Sequence, residues 1–112
     1  MLIEELTADH LWNVAQRLNR GAPFTSLKPV GLWNLYMVAS YLYYYEESSI
    51  LTDDGYDQLC KWLLENYQPI KHTDLYDPEA LKAGSGYHIS NQNMPRVLYR
   101  AAMILKEYLQ RD

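Results

Sequence analysis

Apolar residues recur at three- and four-residue intervals along most of this chain, the spacing that builds one buried helix face. Leu11, Val14, Ala15 and Leu18 form the first such set, with Gln16, Arg17 and Asn19 between them. Thr7 is an N-cap residue, Asp9 suits the positive helix end, and Gly21 with Pro23 supplies the stop. A helix is predicted over about residues 8–20. From residue 30 to residue 45 the chain is apolar or aromatic on every side, through Leu32, Trp33, Leu35, Tyr36 and on to Tyr43, Tyr44 and Tyr45. That is the pattern of a central helix covered by its neighbours, with Ser26 as its cap and Pro29 in its first turn. The run 41–45 also suits a strand, but strand partners are absent elsewhere, so helix is preferred. Thr52 caps a third helix, with Asp53 and Asp54 in its first turn and Tyr56, Leu59, Cys60, Leu63 and Leu64 as its apolar stripe, running to about residue 66.

Residues 68–75 read as a loop carrying Lys71, His72 and Asp74. Asp77-Pro78-Glu79 opens a short helix through Lys82, closed by Gly84. Gly84-Ser85-Gly86 reads as a helix C-cap and turn, with a phosphate cradle as the weaker alternative. Asn93 caps a last helix with Pro95 in its first turn. Val97, Leu98, Ala101, Ala102, Ile104, Leu105 and Leu109 form its buried face, and Arg96, Arg100, Lys106, Glu107 and Arg111 its wet one. The expected fold is a single all-α domain, residues 1–112. It has four main helices and one short one, built on a central apolar helical hairpin.

Composition agrees with a packed globule: 48% of the 112 residues are hydrophobic, too many for a disordered chain. Fourteen acids against ten Lys and Arg give a formal charge of −4, so duplex nucleic acid is not the favoured partner. The lone cysteine excludes an internal disulfide, and Cys60 reads as a small buried hydrophobe. His10 reads as an exposed polar residue, with no second His or Cys at metal-ligand spacing. No run reaches the ~18 apolar residues of a membrane span, and residues 1–5 carry acids where a signal peptide needs positive charge. A cytoplasmic protein is expected.

One constellation carries chemistry. Asp53, Tyr56 and Asp57 stand at i, i+3 and i+4 on one helix face, and a short turn joins them to the tyrosines ending the preceding helix. Aromatic rings beside two carboxylates suit a flat cationic ring bearing hydroxyls or an amide, such as nicotinamide riboside. On spacing alone a plainer account outweighs this one: the acids are dipole partners and the tyrosines the wet edge of the core. Metal binding lacks a nearby histidine, and acid–base chemistry lacks a substrate pocket.

The segment Tyr41-Leu42-Tyr43-Tyr44, followed by Thr52-Asp53-Asp54-Gly55-Tyr56-Asp57-Gln58-Leu59, resembles the N-terminal Ia subdomain of NAD-dependent DNA ligases. The resemblance runs without a gap over about residues 41–67. It implies a helical hairpin that closes over the nicotinamide mononucleotide half of NAD. Tyr43, Asp53, Tyr56 and Asp57 then fall on nicotinamide-contacting positions, and Tyr44 falls where the ligases usually carry histidine. The ligase nucleotidyltransferase domain is missing: none of the lysines at 28, 61, 71, 82 and 106 opens a Lys-x-Asp-Gly motif. The second half, with His72-Thr73-Asp74-Leu75 and the stretch 79–87, looks like small stand-alone ligase-related proteins of phages and prophages. The resemblance implies a non-catalytic, phage-type accessory module that binds nicotinamide mononucleotide, NAD or a related nucleotide at Tyr43, Tyr44, Asp53, Tyr56 and Asp57, without metal. The alternative is a protein–protein adaptor or inhibitor of a host factor. Its support is the eleven tyrosines, with Tyr41, Tyr44, Tyr45 and Trp33 as contacts if exposed together.

Overall fold

The computed structural model describes residues 3–66 and 75–110, with side chains from residue 7 onward. Among them are five α-helices and no strand: α1 (Ile3–Asn19), α2 (Pro29–Tyr45), α3 (Asp53–Asn66), α4 (Pro78–Lys82) and α5 (Arg96–Gln110). The strand alternative for 41–45 is thereby removed. A short 3₁₀ turn, Phe24–Ser26, precedes α2. The radius of gyration is 12.8 Å, close to the ~13 Å expected of a compact chain of about 100 residues.

Helix α2 is the axle of the fold. Leu32, Leu35, Tyr36, Val38 and Leu42 are fully buried, and Trp33, Met37, Ala39 and Tyr41 nearly so. Helices α1 and α5 pack on each other and on α2, while α3 packs on α2 and α4. Cys60 is buried in the same core. No helix among the described residues is long and apolar enough to cross a membrane.

Glycine ends two helices. Gly21 (φ +90°) follows α1, where the Ala22 and Gly21 N–H groups return to the carbonyls of Arg17 and Leu18. Gly84 (φ +67°) follows α4, where the N–H groups of Ser85 and Gly84 return to Ala80 and Leu81. Both are Schellman closures, which need a left-handed residue that glycine adopts without a Cβ penalty. At the end of α2 that region is occupied by Glu47 (φ +53°).

Several expectations are corrected. Helix α1 begins at Ile3 and runs through Thr7, because an N-cap residue permits a start without compelling one. Ser26 does not cap α2: its hydroxyl donates to the Pro23 carbonyl at 2.6 Å, and Lys28 is the cap position. Asn93 does not cap α5; its side chain bridges the Ser90 N–H and the His88 carbonyl, and Pro95 lies just before the helix rather than in its first turn, its carbonyl accepting the N–H groups of Leu98 and Tyr99. Val97 is 36% exposed, and Lys106 is half-buried. The predicted loop at 68–75 lies, except for Leu75, outside the described residues, as does Arg111.

Candidate functional site

The turn between α2 and α3 is held from below by Asn19, at the end of α1. Its amide nitrogen donates to the Ile50 carbonyl at 3.0 Å, and its amide oxygen accepts the Thr52 N–H at 2.9 Å. Ile50 and Leu51 sink into the core beside it. Thr52 then caps α3, its hydroxyl accepting the Gly55 N–H at 3.0 Å. This fixes the helix phase and separates two adjacent acids. Asp53 lines the cleft between α2 and α3, with Tyr56 and Asp57 on the same face. Asp54 accepts from the Gln58 side chain at 2.7 Å and lines a smaller hollow with Gly21 and Phe24.

The cleft has a volume of about 280 Å³. Its walls are Ala39, Tyr43 and Tyr44 from α2, Ser49, Ile50 and Leu51 from the turn, Asp53, Tyr56 and Asp57 from α3, and Gly84 behind α4. All five residues singled out from the sequence, Tyr43, Tyr44, Asp53, Tyr56 and Asp57, therefore line one concavity. Tyr43 and Tyr44 meet edge to face, with ring centres 5.0 Å apart.

Tyr56 closes a column of rings. Trp33 and Tyr36 stack at 5.1 Å, and Tyr36 and Tyr56 at 6.0 Å. Its hydroxyl is hydrogen-bonded to the Ser40 hydroxyl at 2.7 Å. The Tyr36 hydroxyl donates to the Ser85 carbonyl at 2.8 Å. Burial pushes the Tyr36 and Tyr56 phenols well above the usual tyrosine range, so both stay neutral. Burial also pushes the Cys60 thiol up to about 12, which removes it as a nucleophile at neutral pH.

The two cleft carboxylates differ. Asp57 pairs with Lys61 at 3.1 Å, an exposed i,i+4 contact of small worth. Asp53 is exposed and has no ion pair or side-chain hydrogen bond among the described residues. The neighbouring tyrosines do other work. Tyr41 is buried and donates to Glu46 at 2.8 Å, and Tyr45 stacks on Tyr41 and donates to the Tyr87 carbonyl at 2.7 Å. Trp33 is only 8% exposed, so two of the four aromatics named for an adaptor surface, Trp33 and Tyr41, lie in the core.

Gly84-Ser85-Gly86 forms the helix closure and turn described above, and it also walls the site. A Cβ on Gly84 would lie 2.7 Å from a carboxylate oxygen of Asp57, and one on Gly86 2.7 Å from the Tyr56 hydroxyl. Sequence reasoning missed this wall, and it missed Ser40. The available signal for Ser40 was a lone serine among the apolar and aromatic residues of α2, since a buried polar group needs a partner.

No family model matches the chain, and no curated protein or solved structure matches it either.

Proposed function

We propose that this chain is a non-catalytic binding module whose cleft receives the nicotinamide end of nicotinamide mononucleotide or NAD. The observation that carries the reading is the convergence of Tyr43, Tyr44, Asp53, Tyr56 and Asp57 on one concavity. Tyrosine rings stack on a flat cationic ring, and carboxylates attract its charge and accept from its amide or ribose hydroxyls. The motif likeness to the ligase Ia hairpin supports the same ligand. At about 280 Å³ the cleft is just below the ~300–1,000 Å³ of pockets that bury a whole small ligand. It holds the ring end of a nucleotide and leaves the phosphate to solvent or to a second protein. No residue here is assigned a catalytic role, because the lysine motif that carries adenylate in the ligases is missing.

The test is a titration of the isotope-labelled chain with nicotinamide mononucleotide and with NAD, followed by amide chemical shifts. Saturable shifts are expected around the five cleft residues. A spectrum unchanged by both ligands at millimolar concentration ends this reading. In a separate assay with NAD, magnesium and nicked DNA, no covalent adenylate is expected on the chain.

A further inference from the structure

The nicotinamide reading uses the cleft and leaves the exposed tyrosines at its rim and beyond unexplained. Tyr43 and Tyr44, which line it, are 54% and 38% exposed, and Tyr45 (50%) and Tyr87 (60%), joined by the Tyr45 hydrogen bond to the Tyr87 carbonyl, lie outside its lining. Single exposed aromatics are ordinary, but two that line a cleft, with two more exposed beside the same helix end, suit a contact surface. Tyrosine is a usual anchor of protein interfaces. The charge beside them is acidic. Asp53 stands without an ion pair among the described residues, Asp57 has only the exposed Lys61, and exposed Glu47 lies on the adjoining turn. The whole chain carries −4.

We infer that the cleft and its tyrosine rim dock a basic segment of another protein, one arginine side chain of which enters the cleft. A guanidinium is flat, permanently charged and weakly hydrated. It stacks on aromatic rings while donating paired hydrogen bonds to a carboxylate. Lysine supplies the charge without the plane. A cleft of about 280 Å³ takes one such side chain, and the rim then covers the flanking backbone. This goes beyond the nicotinamide reading but shares Asp53 and Asp57 with it, so the two occupants exclude each other.

The probe is the capped tripeptide acetyl-Gly-Arg-Gly-amide, with its lysine and citrulline counterparts, titrated into the labelled full chain. Nicotinamide mononucleotide is titrated separately. The arginine peptide is expected to shift the cleft resonances saturably, and the neutral citrulline peptide to leave them unmoved. The lysine peptide should bind at least about fivefold more weakly. Asp53→Asn, which keeps the side-chain shape, should weaken the arginine peptide about tenfold; it also removes a first-turn charge, so its melt is followed alongside. If that variant melts early, Asp57→Asn carries the same test. Equal shifts with arginine and citrulline, or none with any peptide, overturn the inference. So does self-association of the chain that Asp53→Asn abolishes, because the occupant is then a second copy. Nicotinamide binding without arginine binding removes this inference alone, and arginine binding without nicotinamide binding removes only the nucleotide reading.

Discussion

The hydroxyls of Ser40 and Tyr56 lie 2.7 Å apart, and the backbone of Gly86 closes over both. The bond ties the middle of α2 to the first turn of α3. It holds the Tyr56 ring as a cleft wall and occupies one hydrogen-bonding position of its hydroxyl.

Gly86→Ala is therefore expected to be costly. Its Cβ would stand 2.7 Å from the Tyr56 hydroxyl and nearer still to the Ser40 hydroxyl. Overpacking of this kind costs about 1–3 kcal/mol. Ser40→Ala should cost a similar ~1–3 kcal/mol, by leaving the Tyr56 hydroxyl without its partner. Denaturant unfolding measures both. Wild-type stability in Gly86→Ala would show that the turn moves aside.

Alkaline pH should unfold the protein. Tyr36, Tyr41 and Tyr56 all have phenols raised above the ordinary range, first of all by burial. In the unfolded chain they ionise near pH 10. Above that pH the unfolded state binds fewer protons than the native one, so stability falls as pH rises. It is fully present below pH 10 and declines by about 1.4 kcal/mol per pH unit for each such tyrosine. Ultraviolet titration should show these phenolates appearing only with loss of helical ellipticity. Ionisation of all eleven tyrosines in a still helical protein would contradict this.

The acid limb depends on Glu46. Lys106 donates to it at 2.7 Å and Tyr41 at 2.8 Å, and these bonds hold its carboxyl below the usual range. A lowered carboxyl stabilises the fold above the unfolded value of ~4.3, and the benefit is lost as pH falls through the folded value. Glu46→Gln keeps an acceptor for Tyr41 and removes the charge. It should cost about 1–2 kcal/mol at pH 7 and flatten the loss of stability below about pH 5. An unchanged acid limb would place the proton uptake on other carboxyls.

The helical hairpin was legible because local chemistry and tertiary packing agree there. Thr52 caps α3, residues 31–42 are buried nearly all round, and Asp53, Tyr56 and Asp57 share a face at helical spacing. Ser26 and Asn93 misled because their side chains found nearer backbone partners, which competes with capping. Lys106 was read as wet because periodicity carries no information about Glu46, distant in sequence. The Gly84 wall was hidden for the same reason: glycines announce a turn, and only packing says what the turn lies against.

Gly84 and Gly21 separate backbone strain from contact. Both have positive φ, but a Cβ on Gly21 meets nothing within 4 Å, while one on Gly84 meets Asp57 at 2.7 Å. Gly21→Ala should cost only the left-handed penalty, about 1–2 kcal/mol. Gly84→Ala should pay this and also displace Asp57, moving its resonances and weakening any cleft ligand. Equal behaviour of the two variants in both stability and Asp57 shifts would show that the Gly84 wall does not press on the carboxylate.

Variants of the cleft itself decide what it binds. Asp57→Ala should weaken nicotinamide mononucleotide by about 1–3 kcal/mol, the range for a lost hydrogen bond to a charged group. Asp53→Ala should weaken it too, but it also removes a first-turn acid worth ~0.3–1 kcal/mol to the helix, so its melting must be measured alongside. Tyr56→Phe is the discriminating control. Its hydroxyl is engaged by Ser40, so stability should fall while affinity stays within about twofold of wild type. Tyr44→His installs the residue that the ligase hairpin resembled by this sequence usually carries, and on the nicotinamide reading should tighten the nucleotide, as the imidazole can exchange hydrogen bonds through two nitrogens where the phenol has one oxygen. Calorimetry on the four variants reads all of these. Loss of affinity in Tyr56→Phe together with none in Asp57→Ala would mean that the phenol, freed from Ser40, is the ligand contact and the carboxylate is not.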